Sequence, residues 1–210
     1  MSTTDPAKSL DVVYSAKDVA DVAKKYDDWA ERYDTEMSTL GYRHPNICLA
    51  MLTRHLPRGD GPVLDAGAGT GLLGEWMHIV GYDGCEALDI SEKMLEVAKR
   101  KQVYNDFHVA ALGESLALPD DRFAAIVAAG VFTVGHVGAE GFDELIRVTR
   151  PGGIIVVTIK DTLYNGEVGA RMRELADSGV WEIVEETPPY VSMPHRPDTV
   201  PSRAVVLKVK

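Results

Sequence analysis

Cysteine is scarce: only Cys48 and Cys85 occur, with no partner at CxxC spacing. Two such residues cannot build a disulfide framework or a zinc site, so two buried, reduced thiols are expected. No apolar run reaches the roughly 18 residues of a membrane span. The opening Met1-Ser2-Thr3-Thr4-Asp5-Pro6 lacks the basic and apolar regions of a signal peptide, so a cytoplasmic location is expected. Basic charge is short as well, with 22 Lys and Arg against 32 Asp and Glu, a net charge of −10. Without a Lys/Arg stripe, this balance disfavours nucleic-acid partners. Internal repeats and low-complexity linkers are also missing.

What is present fits one globular domain. The 210 residues are 45% apolar and 26% charged, which excludes a disordered chain except over about the first dozen residues. Val19, Val22, Tyr26, Trp29, Ala30, Tyr33 and Met37 recur at three- and four-residue steps and predict a helix over 16–39. A second helix is expected from Pro45 to just before Pro57.

The period then changes. Short apolar runs at 62–66, 85–89, 107–110, 123–129, 154–159, 181–184 and 204–209 read as strands. Helices are expected between them at 70–80, from a Ser91 cap to Arg100, at 139–149 and at 167–178, with a turn at Arg150-Pro151-Gly152-Gly153. Alternating strands and helices predict a parallel sheet with right-handed crossovers. The last two strands have no helix between them and should form an antiparallel hairpin.

The most informative stretch is Leu64-Asp65-Ala66-Gly67-Ala68-Gly69-Thr70-Gly71-Leu72-Leu73-Gly74, in which two patterns overlap. Gly69 to Gly74 satisfies GxGxxG, and Asp89 follows Gly69 by 20 residues, as in a dinucleotide fingerprint. Asp65 to Gly71 satisfies DxGxGxG, with an acid closing the strand and Gly67 opening the turn. An acid there would repel a pyrophosphate at a helix N-terminus. It suits a cationic ligand without phosphate, such as S-adenosylmethionine.

Four motifs in order resemble the class I S-adenosylmethionine-dependent methyltransferases: 64–71, Leu88-Asp89-Ile90-Ser91-Glu92-Lys93-Met94-Leu95, Leu118-Pro119-Asp120-Asp121-Arg122-Phe123, and 150–153. Residues 26–34 and 130–137 are similar to the Williams–Beuren-region methyltransferase-like subgroup. The resemblance implies an α/β, Rossmann-like, seven-stranded mostly parallel sheet with a C-terminal antiparallel hairpin. It also implies an N-terminal helical lid over 1–58 and a core over 59–210, within one structural domain. S-adenosylmethionine would be the cofactor; the resemblance names no acceptor, but the acidic balance and small domain suggest a small molecule.

Carried over by position, Ala66, Gly67 and Gly69 form the cofactor loop, Asp89 accepts from the ribose hydroxyls, and Ile90 packs on adenine. Asp65 acts on the methionine ammonium, directly or through water. The acid that many relatives place after the third strand is replaced by Leu112. The adenine is then held by the backbone of Leu112 and Gly113, or else by Glu114 in a shifted register. Ala129 completes the cofactor wall, and His136 is the candidate base. Tyr26, Trp29 and Tyr33 would cover the methionine end from a helix that orders on cofactor binding. His44, His55, His78 and His195 have less to recommend them, and His108 reads as structural. The absence of Asn-Pro-Pro-Tyr after the fourth strand argues against methylation of DNA bases. Two alternatives stay open: a nicotinamide-dependent oxidoreductase and a non-catalytic cofactor-binding module.

Overall fold

The computed structural model describes residues 6–133 and 137–210. Three helices open the chain: α1 (Pro6–Tyr14), α2 (Val19–Leu40) and α3 (His44–His55). The side chain of Asp18 caps α2 by accepting from the Asp21 amide at 2.8 Å, which sets its start later than apolar periodicity suggests. Gly41, in the left-handed region at φ 71°, ends it. Pro45 lies in the first turn of α3.

The alternating part follows as β1 (Val63–Ala66), α4 (Leu72–Ile79), β2 (Cys85–Asp89), α5 (Glu92–Lys101), β3 (Asp106–Val109) and β4 (Phe123–Phe132). It continues as α6 (Gly141–Val148), β5 (Thr149–Lys160), α7 (Asp161–Tyr164), α8 (Glu167–Asp177), β6 (Trp181–Glu186) and β7 (Ser202–Val209). The hydroxyl of Ser91 accepts from the Met94 amide at 3.1 Å, the expected cap of α5.

The seven strands form one sheet in the order β3-β2-β1-β4-β5-β7-β6, and only β7 runs antiparallel to its neighbours. Side chains alternate between two cores. Leu64, Leu88, Ile126 and Val157 face Phe142, Leu145 and Met172 of α6 and α8. Ala87, Ala125, Val127 and Val156 face Met51 of α3, Met77 of α4 and Leu95 of α5. Connections leave β1 toward β2 and β4 toward β5, so the order reverses between β1 and β4. Open α/β sheets bind ligands at the carboxyl ends of the strands flanking such a reversal.

Three stretches depart from expectation. Residues 6–14, within the stretch that composition left open to disorder, form α1, because Leu10 and Val13 bury against α2 in a cluster with Trp29, Met37 and Leu40. The expected turn at 150–153 lies inside β5. Pairing with β4 slips there, from Phe123–Thr149 to Ala125–Ile154, and Gly152 sits at φ 77°. β4 runs on to Phe132, with a second irregularity between Ala128 and Phe132. No helix among the described residues is long and apolar enough to cross a membrane.

Helix α2 meets α5 through polar contacts. Asp27 accepts from the Ser91 hydroxyl at 2.6 Å and the Lys93 amide at 3.2 Å, placing a carboxylate at the α5 N-terminus. Arg100 forks onto Glu31 at 2.8 and 2.9 Å, and Lys101 reaches Asp34 at 2.7 Å. Trp29 belongs to the apolar cluster: its ring is 2% exposed and its indole nitrogen donates to Glu36 at 2.8 Å. Trp29→Ala should therefore cost about 3–5 kcal/mol of folding stability, as a truncated core aromatic does. Chemical denaturation measures it, and a loss under about 1 kcal/mol would contradict the core placement.

Candidate functional site

The loop after β1 is built by glycines at positive φ, and two of them are required for different reasons. A Cβ on Gly67 (φ 82°) would stand 2.3 Å from Val131 Cγ2, so this glycine lets β4 close against the loop. A Cβ on Gly69 (φ 55°) would meet nothing within 4 Å, because that side faces an open cavity. The amides of Gly67 and Ala68 donate to the Leu88 carbonyl at 2.7 and 2.9 Å, locking the loop onto β2.

Asp89 ends β2 beside this loop. Its carboxylate accepts from the Gly69 amide at 2.7 Å and the Ser91 amide at 2.8 Å. Burial pushes its pKa up to about 6; the amides of Ser91, Gly69 and Ile90 pull it down, and the charge of Asp27 pushes it up. Asp65 is 1% exposed and lies behind the loop, where the Tyr104 hydroxyl donates to it at 2.6 Å. Burial raises its pKa to about 7 against that hydrogen bond, and Asp89 adds to the rise.

The cavity, about 330 Å³, opens at the carboxyl ends of β1, β2 and β4. Its floor is Gly67, Gly69, Asp89 and Ile90, and one side is Ala110, Ala111 and Leu112. The opposite side is Ala129, Gly130 and Val131 of β4, and Val22, Tyr26, Tyr33 and Tyr42 cover it. Desolvation holds the three phenols well above their ordinary pKa, so they stay protonated.

Of the residues singled out from the sequence, Tyr26, Tyr33, Gly67, Gly69, Asp89, Ile90, Leu112 and Ala129 come together on this wall. Trp29, Asp65, Ala66 and Gly113 do not line it. Trp29 is packed into the α1–α2 cluster, Asp65 is held behind the loop, Ala66 is buried within β1, and Gly113 is exposed beside Glu140. Glu114 is exposed too, outside the lining. His136 lies outside the described residues. Sequence reasoning missed Tyr42, Lys17, Val22, Gly130 and Val131, all of which line the cavity. A glycine within an apolar strand was an available signal at Gly130; nothing local marks Tyr42.

Among the described residues, Glu86, Asp106 and His108 also converge, their ligand atoms within 4.8 Å of one another. Glu86 pairs with Arg122 at 2.5 Å and His108 at 2.9 Å, which makes this an ion-pair cluster at the start of β2 and β3.

Residues 64–157 match the methyltransferase domain family. The chain is similar to human methyltransferase-like protein 27, with 33% identity over 183 residues, 81% of this chain and 73% of that protein. It is 34% identical over 141 residues to the demethylmenaquinone methyltransferase of Renibacterium salmoninarum, covering 65% of this chain and 57% of that protein. The chain thus spans less than two thirds of the length of that enzyme. Among solved structures, the [4+2]-cyclase SpnF superposes with a TM-score of 0.69 at 15% identity, over 92% of this chain and 97% of the other. A TehB-like S-adenosylmethionine-dependent methyltransferase from Corynebacterium glutamicum gives 0.63 at 21% identity, over 89% and 99%. At these identities the superpositions establish the fold alone.

The buried acids set a pH dependence. An aspartate in an unfolded chain titrates near 4, about three units below folded Asp65. Between those values the folded protein keeps a proton that the unfolded chain has released, so this group costs stability as pH rises. Asp65→Asn preserves an acceptor for Tyr104 without the charge. Its stability relative to the parent should improve steadily from about pH 4 to about pH 7, read from thermal unfolding. A pH-independent difference would contradict the buried, protonated carboxyl.

Proposed function

This chain belongs to the class I S-adenosylmethionine-dependent methyltransferases, and from that premise we propose that it methylates a small-molecule acceptor by direct in-line transfer. Likeness to methyltransferase-like protein 27 over 81% of the chain supports a place in that subgroup. The observation that carries the reading is the set of acids around the glycine loop. Asp89 binds the loop amide of Gly69 at 2.7 Å, Asp34 accepts from the Thr70 hydroxyl at the start of α4, and Asp65 lies behind. Lys101 offsets the Asp34 charge at 2.7 Å, so it is family membership that disfavours a nicotinamide dinucleotide. A ligand with an ammonium, a sulfonium and no phosphate matches the negative charge of Asp89, the acid of this set that lines the cavity.

The donor set fits such a cofactor. A carboxylate accepts about four hydrogen bonds, so beyond its loop contacts Asp89 retains lone pairs for vicinal ribose hydroxyls. Ile90, Met94 and Leu112 offer an apolar slot for a purine, and the open side of Gly69 leaves room for the chain beyond the ribose. Asp65 acts on an ammonium only through an intervening group such as water, since Tyr104 holds it behind the wall. When bound, S-adenosylmethionine supplies a methyl carbon already activated by its sulfonium. The protein's part is alignment and exclusion of water. Residues 1–58 serve as the cap and 59–210 as the core, with Tyr26 and Tyr33 as the roof. Their rings would attract a sulfonium by about 0.5–2 kcal/mol.

S-adenosylhomocysteine should bind by calorimetry and NAD should not. Asp89→Ala should weaken that binding about 10- to 100-fold, the worth of a charged hydrogen-bond acceptor. In the parent, affinity should fall as the pH drops below about 6, where Asp89 takes up its proton. Amide exchange in α2 should slow on binding. Unchanged affinity in Asp89→Ala would overturn the assignment.

A further inference from the structure

Tyr42 has the least ordinary setting on the cavity wall. It follows the α2 cap at Gly41, and its hydroxyl donates to the Ala129 carbonyl at 3.4 Å, a long hydrogen bond. Beside it Gly130 has φ 80°, and a Cβ there would stand 2.2 Å from the Tyr42 oxygen. The missing side chain is what admits the hydroxyl to the wall. Gly130 also donates its amide to the Thr158 hydroxyl at 2.7 Å, within the irregular stretch of β4. Behind, the ring packs edge-on against His44 at 5.3 Å, and His44 Nδ1 lies 2.7 Å from the Tyr190 hydroxyl. Burial lowers the His44 pKa to about 3, so this row is neutral. Lys17, the one cation among the described lining residues, is exposed at the mouth.

The strand order places this wall at one end of the site. A ligand with its ribose on Asp89 crosses the β1 loop and brings its far end to β4. We propose that Tyr42 is an acceptor-binding residue and that the acceptor is a small amine, whose N–H donates to the Tyr42 oxygen beside the Ala129 carbonyl. The inference rests on the methyltransferase reading above.

A neutral amine fits a wall of oxygen acceptors. Its nitrogen lone pair forms the new bond to the methyl carbon, while the carbon–sulfur pair stays on sulfur and neutralises the sulfonium. The product is an N-methylammonium that loses its proton to solvent, so no base on this wall is required. Charge developing on nitrogen strengthens the N–H hydrogen bond to Tyr42 during transfer.

Sinefungin tests this, because its amine replaces the transferable methyl group and so projects toward the acceptor wall, a position that S-adenosylhomocysteine leaves empty. Both should bind the parent by calorimetry. Tyr42→Phe should weaken sinefungin at least fivefold and leave S-adenosylhomocysteine within twofold. Gly130→Ala, which drives a methyl into the hydroxyl's place, should give the same selective loss. If Tyr42→Phe changes neither ligand, or both alike, the acceptor role is wrong while the cofactor reading stands. If neither ligand binds the parent, the cofactor reading fails and this inference with it. Should Gly130→Ala not fold, Tyr42→Phe alone decides.

Discussion

The buried carboxylate of Asp89 organises the site. Sitting at the carboxyl end of β2, it draws the Gly69 amide on one side and the Ser91 amide on the other. The first contact shapes the glycine loop; the second orients the residue that caps α5. Ser91 then donates to Asp27 of α2, so one chain of hydrogen bonds runs from the floor of the cavity to the helix that covers it. Burying that charge is costly, as its raised pKa records, and the cost is offset by amides already aimed at it. A ligand that also donates to the carboxylate would tighten floor and cover together.

The cover itself combines two kinds of packing. One side of α2 shares an apolar cluster with α1 and Met193 of the β6–β7 loop, where Trp29 is buried. Another contributes Tyr26 and Tyr33 to the cavity. The contacts to α5 are charged and partly exposed, hence individually weak and easily exchanged for water. Under the function proposed above, such a helix would keep its own structure while its seat on the core opens. That is what a cofactor buried beneath it requires for entry and release.

Much of this is legible in the sequence where local chemistry and burial agree. β2 falls at 85–89 as its apolar run requires, Ser91 caps α5, and the strand with no helix before it reverses direction. Elements set by distant partners are not legible in this way. α1 is a nine-residue helix that depends on α2 for its buried face. Asp65 closes its strand as an acid in the motif should, yet its carboxyl turns to Tyr104, 39 residues away. Tyr42 reaches the wall only because Gly130, 88 positions on, has no side chain. The fold cannot supply such detail either, since a [4+2]-cyclase superposes as well as a methyltransferase does.

The most direct test is a crystal structure of the protein with S-adenosylhomocysteine. The ribose hydroxyls should lie within hydrogen-bond distance of the Asp89 carboxylate, with the purine between Ile90 and Leu112 and the sulfur toward Ala129 and Tyr42. A ribose seated away from Asp89, or a ligand whose sulfur faces the β3 side of the cavity, would contradict the account.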